Sequence, residues 1–175
     1  SAAKAALSKM FEEQTDVTRK LRAMWCLHSI NGVDKPTLTA WFQHPEEHVR
    51  VWAVRLLTDG DAPGSSRVLE AAAQREASGL VQAYLASALQ RLPAAERWKV
   101  ALPLATKESF AHDPALPLLI WYGIEGAIPS ESALTMHLAE ATRMPLLRRH
   151  IARRVTEDLD KTPEAVSRLV DTLLN

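Results

Sequence analysis

A chain of 175 residues is long enough for one substantial core and short for two domains. Apolar residues make up 47% and charged residues 24%, which describes a folded protein and excludes a disordered segment. Lys plus Arg and Asp plus Glu both number 21, and this balance argues against a protein whose main task is to grip a long polyanion, although a local basic patch survives it.

Helical segments follow one another from the start. Ala2 to Glu13 reads as a first helix, and Asp16 can cap a second that carries Leu21, Met24, Trp25 and His28 at spacings of three and four. The single cysteine, Cys26, falls in this helix and reads as a buried thiol acting as a small hydrophobe; it permits no internal disulfide. Asn31-Gly32 ends the helix, since both residues tolerate the left-handed conformation. A short helix is expected over Pro36 to Phe42, then one with Pro45 in its first turn running to about Thr58.

Asp59 to Gly64 is the richest loop, too short for a flexible interdomain linker. Ser65 or Ser66 is expected to cap a helix running to about Glu76, with further helices over Ser78 to Arg91 and Ala94 to Thr106. Pro103 inside the latter predicts a kink or an early end. Asp113-Pro114 opens Ala115 to Glu125, and Gly126 to Ser130 reads as a loop. Three more helices follow over Glu131 to Thr142, Pro145 to Leu159 and Glu164 to Leu174. No stretch alternates at period two between turns, so strands are not expected.

A phrase recurs along these helices. It reads Leu21-Arg22-Ala23-Met24-Trp25, Val49-Arg50-Val51-Trp52-Ala53, Val81-Gln82-Ala83-Tyr84-Leu85, Leu116-Pro117-Leu118-Leu119-Ile120 and Leu147-Arg148-Arg149-His150-Ile151, with starts 28, 32, 35 and 31 residues apart. An apolar helix recurring at that period signals stacked helix pairs, none of which can bury its apolar face alone. The expected fold is all-α, a right-handed α-solenoid of about five HEAT-like helix pairs forming one domain over 1–175. Trp25, Trp52, Tyr84 and Trp121 are expected to be structural core, while Trp41 and Trp98, on the alternate helices, are expected to be partly exposed. Ala53, Ala86 and Gly123 should allow close helix approach.

The sequence resembles the HEAT-repeat class, whose second helix commonly opens with an aspartate-containing turn and a hydrophobic-arginine pair; His48-Val49-Arg50 through Ala53 and Leu56 is the clearest match. A narrower resemblance rests on His112 to Glu125, containing Trp121-Tyr122, together with Pro145 to Arg154 and Trp52 to Leu57. These are similar to the helical-repeat region of the large membrane-bound-dehydrogenase-type haem-binding proteins of planctomycetes and verrucomicrobia, over about residues 20–158. The resemblance implies a spacer or docking segment of a larger multidomain, exported or periplasmic parent that is redox- or polysaccharide-related. A start at Ser1 rather than Met fits a processed product or a piece of such a protein. No Cys-x-x-Cys-His occurs, so covalent c-type haem attachment is not expected, and the family's oxidoreductase label does not pass to this segment.

Residues that could carry chemistry are few. His44 and His48 are four apart, but Pro45 lies between them and no third ligand follows, so a metal site is not expected. No phosphate-cradling glycine loop and no nucleophile elbow is present. The one departure from neutrality is a basic run containing Arg143, Arg148, Arg149, Arg153 and Arg154. It reads either as an anion or partner contact, with Arg148, Arg149, Arg153 and Arg154 as the contact residues, or as an ion network with Glu140, Glu157, Asp158 and Asp160. The expected function is therefore a non-catalytic structural or protein-interaction module without a cofactor or membrane insertion, its partners being flanking domains or another protein. The alternative is a nucleic-acid-binding helical-repeat protein, its enzyme form a DNA glycosylase-like one that combines tryptophans, a carboxylate and arginines in a concave groove.

Overall fold

The computed structural model describes residues 2–59 and 64–157, together with Ser167, Val170 and Asp171. The chain is all-α: ten α-helices and three 3₁₀ helices lie among the described residues. They form two compact units, Ser1–Ala62 and Pro63–Asn175. Apart from the three residues named, the helix expected over Glu164 to Leu174 lies outside the described residues.

The first unit holds α1 (Ala2–Glu13), α2 (Val17–Ser29), α3 (Lys35–Trp41) and α4 (Glu47–Leu57). Asp16 caps α2, its Oδ1 accepting from the Thr18 and Arg19 amides at 2.8 and 3.3 Å. Asn31, at φ 53°, turns the chain out of α2, and the Gly32 amide reaches back to the Leu27 carbonyl. Asp34 caps α3 through the Thr37 amide and hydroxyl. Pro45 does not enter the helix that follows. His44 Nδ1 accepts from the Glu46 amide at 3.0 Å, which holds the turn open until α4 begins at Glu47. In this unit α1 packs on α2, α3 on α4, and α2 on α4.

The second unit holds α5 (Ser66–Arg75), α6 (Gly79–Ala88), α7 (Ala94–Ala105), α8 (Leu116–Ile124), α9 (Ser132–Ala141) and α10 (Pro145–Thr156). Ser65 stands at the cap position of α5 without a side-chain capping bond, whereas Ser78 caps α6 through the Val81 amide. Asp113 accepts from the Ala115 and Leu116 amides at the start of α8. The stretch Gly126 to Ser130, expected as a loop, is instead a 3₁₀ helix, Glu125–Ser130, that continues from α8.

Two rows of helices result. α5, α7 and α9 pack side by side, as do α6, α8 and α10, and α5–α6, α7–α8 and α9–α10 are the pairs that join the rows. Elements therefore contact the next-but-one element as well as the next, the packing of a helical-repeat architecture. Leu69, Leu85, Leu104, Ile120, Ile124, Leu147 and Ile151 are fully buried between the rows. Gly123 meets Leu89 so closely that a Cβ would lie 2.5 Å from the leucine Cβ. Successive turns are also tied along the unit. Lys107 Nζ, from the turn after α7, donates to the Gln74 and Glu76 carbonyls near the end of α5. The Thr142 hydroxyl and Arg143 amide, after α9, both donate to the Ala105 carbonyl at the end of α7.

Candidate interaction surface on the arginine helix

The phase of each helix decides which phrase residues face solvent. In α2 the buried stripe is Ala23, Met24 and Leu27, so Trp25 is only half-buried and Cys26 is exposed, not buried as expected. A helix advances about 100° per residue, and a stripe centred on positions 23, 24 and 27 leaves 25 and 26 outside it. Trp52 of α4 is likewise half-buried. Its ring meets Trp25 edge-on at 4.7 Å across the α2–α4 seam, and the Arg55 guanidinium lies 4.3 Å over it. Tyr84 is half-buried and Trp121 is 8% exposed.

The expectation that Trp41 and Trp98 are partly exposed is corrected. Trp41 is buried against Phe11, ring centroids 5.0 Å apart, because α1 covers it. Trp98 is 5% exposed within the α5–α7–α9 row.

On α10, Leu147, Ile151 and Val155 form the buried stripe, and the four arginines divide around it. Arg148 turns toward α9. Its Nε donates to the Ala139 carbonyl at 3.0 Å and its Nη2 to the Thr142 carbonyl at 2.6 Å, which satisfies carbonyls at the end of that helix. Arg154 pairs with Glu157 at 3.4 Å. Arg149 and Arg153 are exposed one turn apart and form no ion pair with a described residue, so they are the arginines a partner can reach. Asp158 and Asp160 lie outside the described residues. Arg143 meets Glu108 at 3.8 Å, both well exposed.

Beside this face, His150 stacks on Trp121 with centroids 5.3 Å apart. Tyr122, next along α8, is 57% exposed, the largest apolar exposure on that helix. Its position within the Trp121-Tyr122 segment was visible in the sequence, but its outward phase was not.

Arg148 is one of a set. Arg50 donates to the His44 carbonyl, Gln82 to the Glu76 carbonyl and Arg148 to the Thr142 carbonyl, each at a separation of six residues. All three occupy the second position of the recurring phrase. They fasten the turn before three of the five phrase helices to the helix itself. Arg22 is exposed on α2, and in the fourth phrase Pro117 has no donor to offer.

The histidines do not converge. His44 is engaged by the Glu46 amide, and burial, together with the nearby Lys20 ammonium, holds its imidazole below the usual histidine pKa. Among the described residues no group of three or more His, Cys, Asp or Glu is placed to hold a metal ion. No described helix is long and apolar enough to cross a membrane. The chain matches no protein-family model, no curated protein and no solved structure.

Proposed function

We propose that this chain is a segment of a HEAT-like, right-handed α-solenoid that serves as a non-catalytic structural or protein-interaction module. The observation that carries the reading is the repeated brace: Arg50, Gln82 and Arg148 each bond a turn carbonyl six residues upstream. Three equivalent side chains doing the same mechanical work in three helix pairs support a repeat built for shape. Such repeats present extended surface for flanking domains or partner proteins. Arg149, Arg153 and Tyr122 are the residues through which the α8–α10 face would make that contact. The parent we infer is a large exported or periplasmic protein of the dehydrogenase-type, haem-binding kind, on the resemblance carried by the Trp121-Tyr122 segment and Pro145 to Arg154.

The test is made in the full-length parent. Deleting residues 1–175 should abolish its association with the partner or flanking domain, read by size-exclusion chromatography, while the isolated remaining domains retain their own turnover. Arg149→Glu/Arg153→Glu should weaken association without lowering the melting temperature of the segment. Turnover of a substrate by residues 1–175 alone would overturn the proposal.

A further inference from the structure

The second unit also contains a groove that the interaction surface on α10 does not use. It runs along α7 between α5 and α9 and encloses about 510 Å³. That volume lies within the roughly 300–1,000 Å³ typical of small-molecule sites. α7 contributes Trp98, Leu102 and Pro103 to its lining, and α9 contributes Leu134 and Leu138.

One polar side chain of the lining lacks the partner that folding normally supplies. Trp98 is 5% exposed, yet its indole N–H has no acceptor. Buried donors left this way are uncommon in folded proteins. Pro103 lies inside α7, which runs on to Ala105, so it offers no N–H to the carbonyl of Lys99 one turn earlier. Lys99 and His137 also line the groove, and both are exposed. Neither side chain forms an ion pair with a described residue. Glu70 on α5 is the one carboxylate in the lining, and it disfavours a second negative charge at that wall.

We propose that this groove binds a small amphipathic carboxylate. Its apolar body lies against Trp98, Leu102 and Leu134, and its carboxylate sits at Lys99, away from Glu70. The site needs only α5, α7 and α9, and it stands or falls independently of the scaffold reading.

Decanoate, decan-1-ol and decyltrimethylammonium, each below its micelle-forming or solubility limit, are the probes. The readout is the Trp98 indole N–H signal in a ¹H–¹⁵N spectrum, assigned by its loss in Trp98→Phe. Decanoate should shift that signal saturably, with one molecule bound per chain, and should bind more tightly than the ammonium analogue. Leu134, already 39% exposed, can be changed without threatening the core. Leu134→Glu should weaken decanoate by at least about tenfold, because it removes apolar contact and adds a like charge. Lys99→Glu should weaken decanoate by about three- to fivefold and leave decan-1-ol unchanged. Absence of a saturable shift would overturn the proposal. So would undiminished binding by Leu134→Glu, or equal affinity for the carboxylate and the ammonium.

Discussion

Gly123 is the residue at which packing tolerates least. A Cβ there would lie 2.5 Å from Leu89 Cβ and 2.7 Å from its Cδ1, and Leu89 is itself fully buried. Gly123→Ala should therefore destabilise by about 1–3 kcal/mol, the usual cost of forcing volume into a packed core. Gly126→Ala, where nothing lies within 4 Å of the added methyl group, is the control and should change the denaturant midpoint little. The tryptophans rank by burial in the same way. Trp98→Ala and Trp121→Ala should each cost about 3–5 kcal/mol. Trp52→Ala should cost less, since its ring is half-buried at the α2–α4 seam, and Arg149→Ala should stay within about 0.5 kcal/mol. An arginine variant that lost more than Trp98→Ala in urea melts would place α10 in the wrong phase. Phase is what the sequence conceals at this scale. Leu21, Met24 and Trp25 share an apolar look, but Ala23, Met24 and Leu27 form the stripe, and Cys26 goes outward with the rotation.

Between helices, stability resides in the turns. Lys20 closes α1 by donating to the Phe11 and Glu12 carbonyls, while Arg50, Gln82 and Arg148 brace the turns that precede their own helices. Removing a charged donor from partly buried carbonyls costs about 1.5–3 kcal/mol. Arg148→Ala should lose that much in a thermal melt while its neighbour Arg149→Ala does not; equal effects would mean that the two carbonyl bonds contribute nothing. The His44 turn adds a pH dependence. Its Nδ1 must be unprotonated to accept from the Glu46 amide, and burial and Lys20 lower its pKa from 6.5, while Glu46 and Arg50 act in opposite directions. The unfolded chain thus binds the proton more readily. The stability that this histidine contributes to the first unit should be fully present above about pH 6.5 and decline as pH falls below that value. His44→Gln should flatten the loss in this window; an unaltered pH profile in that variant would refute the assignment. Aspartate caps at 16 and 113 were legible, because a short acceptor before an apolar run has one obvious use, whereas the Asp34 cap emerged only with the structure. Pro103 was misleading as a stop. Burial of Trp98, Ala101, Leu104 and Ala105 holds α7 together past the proline, so tertiary packing outweighs local propensity.

At the scale of the whole molecule, the all-α class and the helix pairing were legible because an apolar phrase returned every 28 to 35 residues, and that period leaves room for two short helices. The surface was less legible, since four clustered arginines look alike in sequence, and only packing separates Arg148 and Arg154, which are engaged, from Arg149 and Arg153, which face solvent. This separation bears directly on nucleic-acid binding. Affinity for duplex DNA comes chiefly from phosphate neutralisation, and log affinity falls against log salt with a slope of about −0.9 per phosphate contacted. Two exposed arginines on a chain with equal numbers of acids and bases could contribute a slope of only about −2, against about −5 to −9 for proteins making 6–10 phosphate contacts. A fluorescein-labelled 20-base-pair duplex, about two helical turns long, should therefore show no saturable anisotropy change below about 10⁻⁴ M protein at physiological salt. Micromolar binding that steepened with falling salt and vanished in Arg149→Glu/Arg153→Glu would reverse the ranking. The α8–α10 face, with the His150–Trp121 stack adjoining Arg149, would then be a nucleic-acid platform rather than a protein-docking surface.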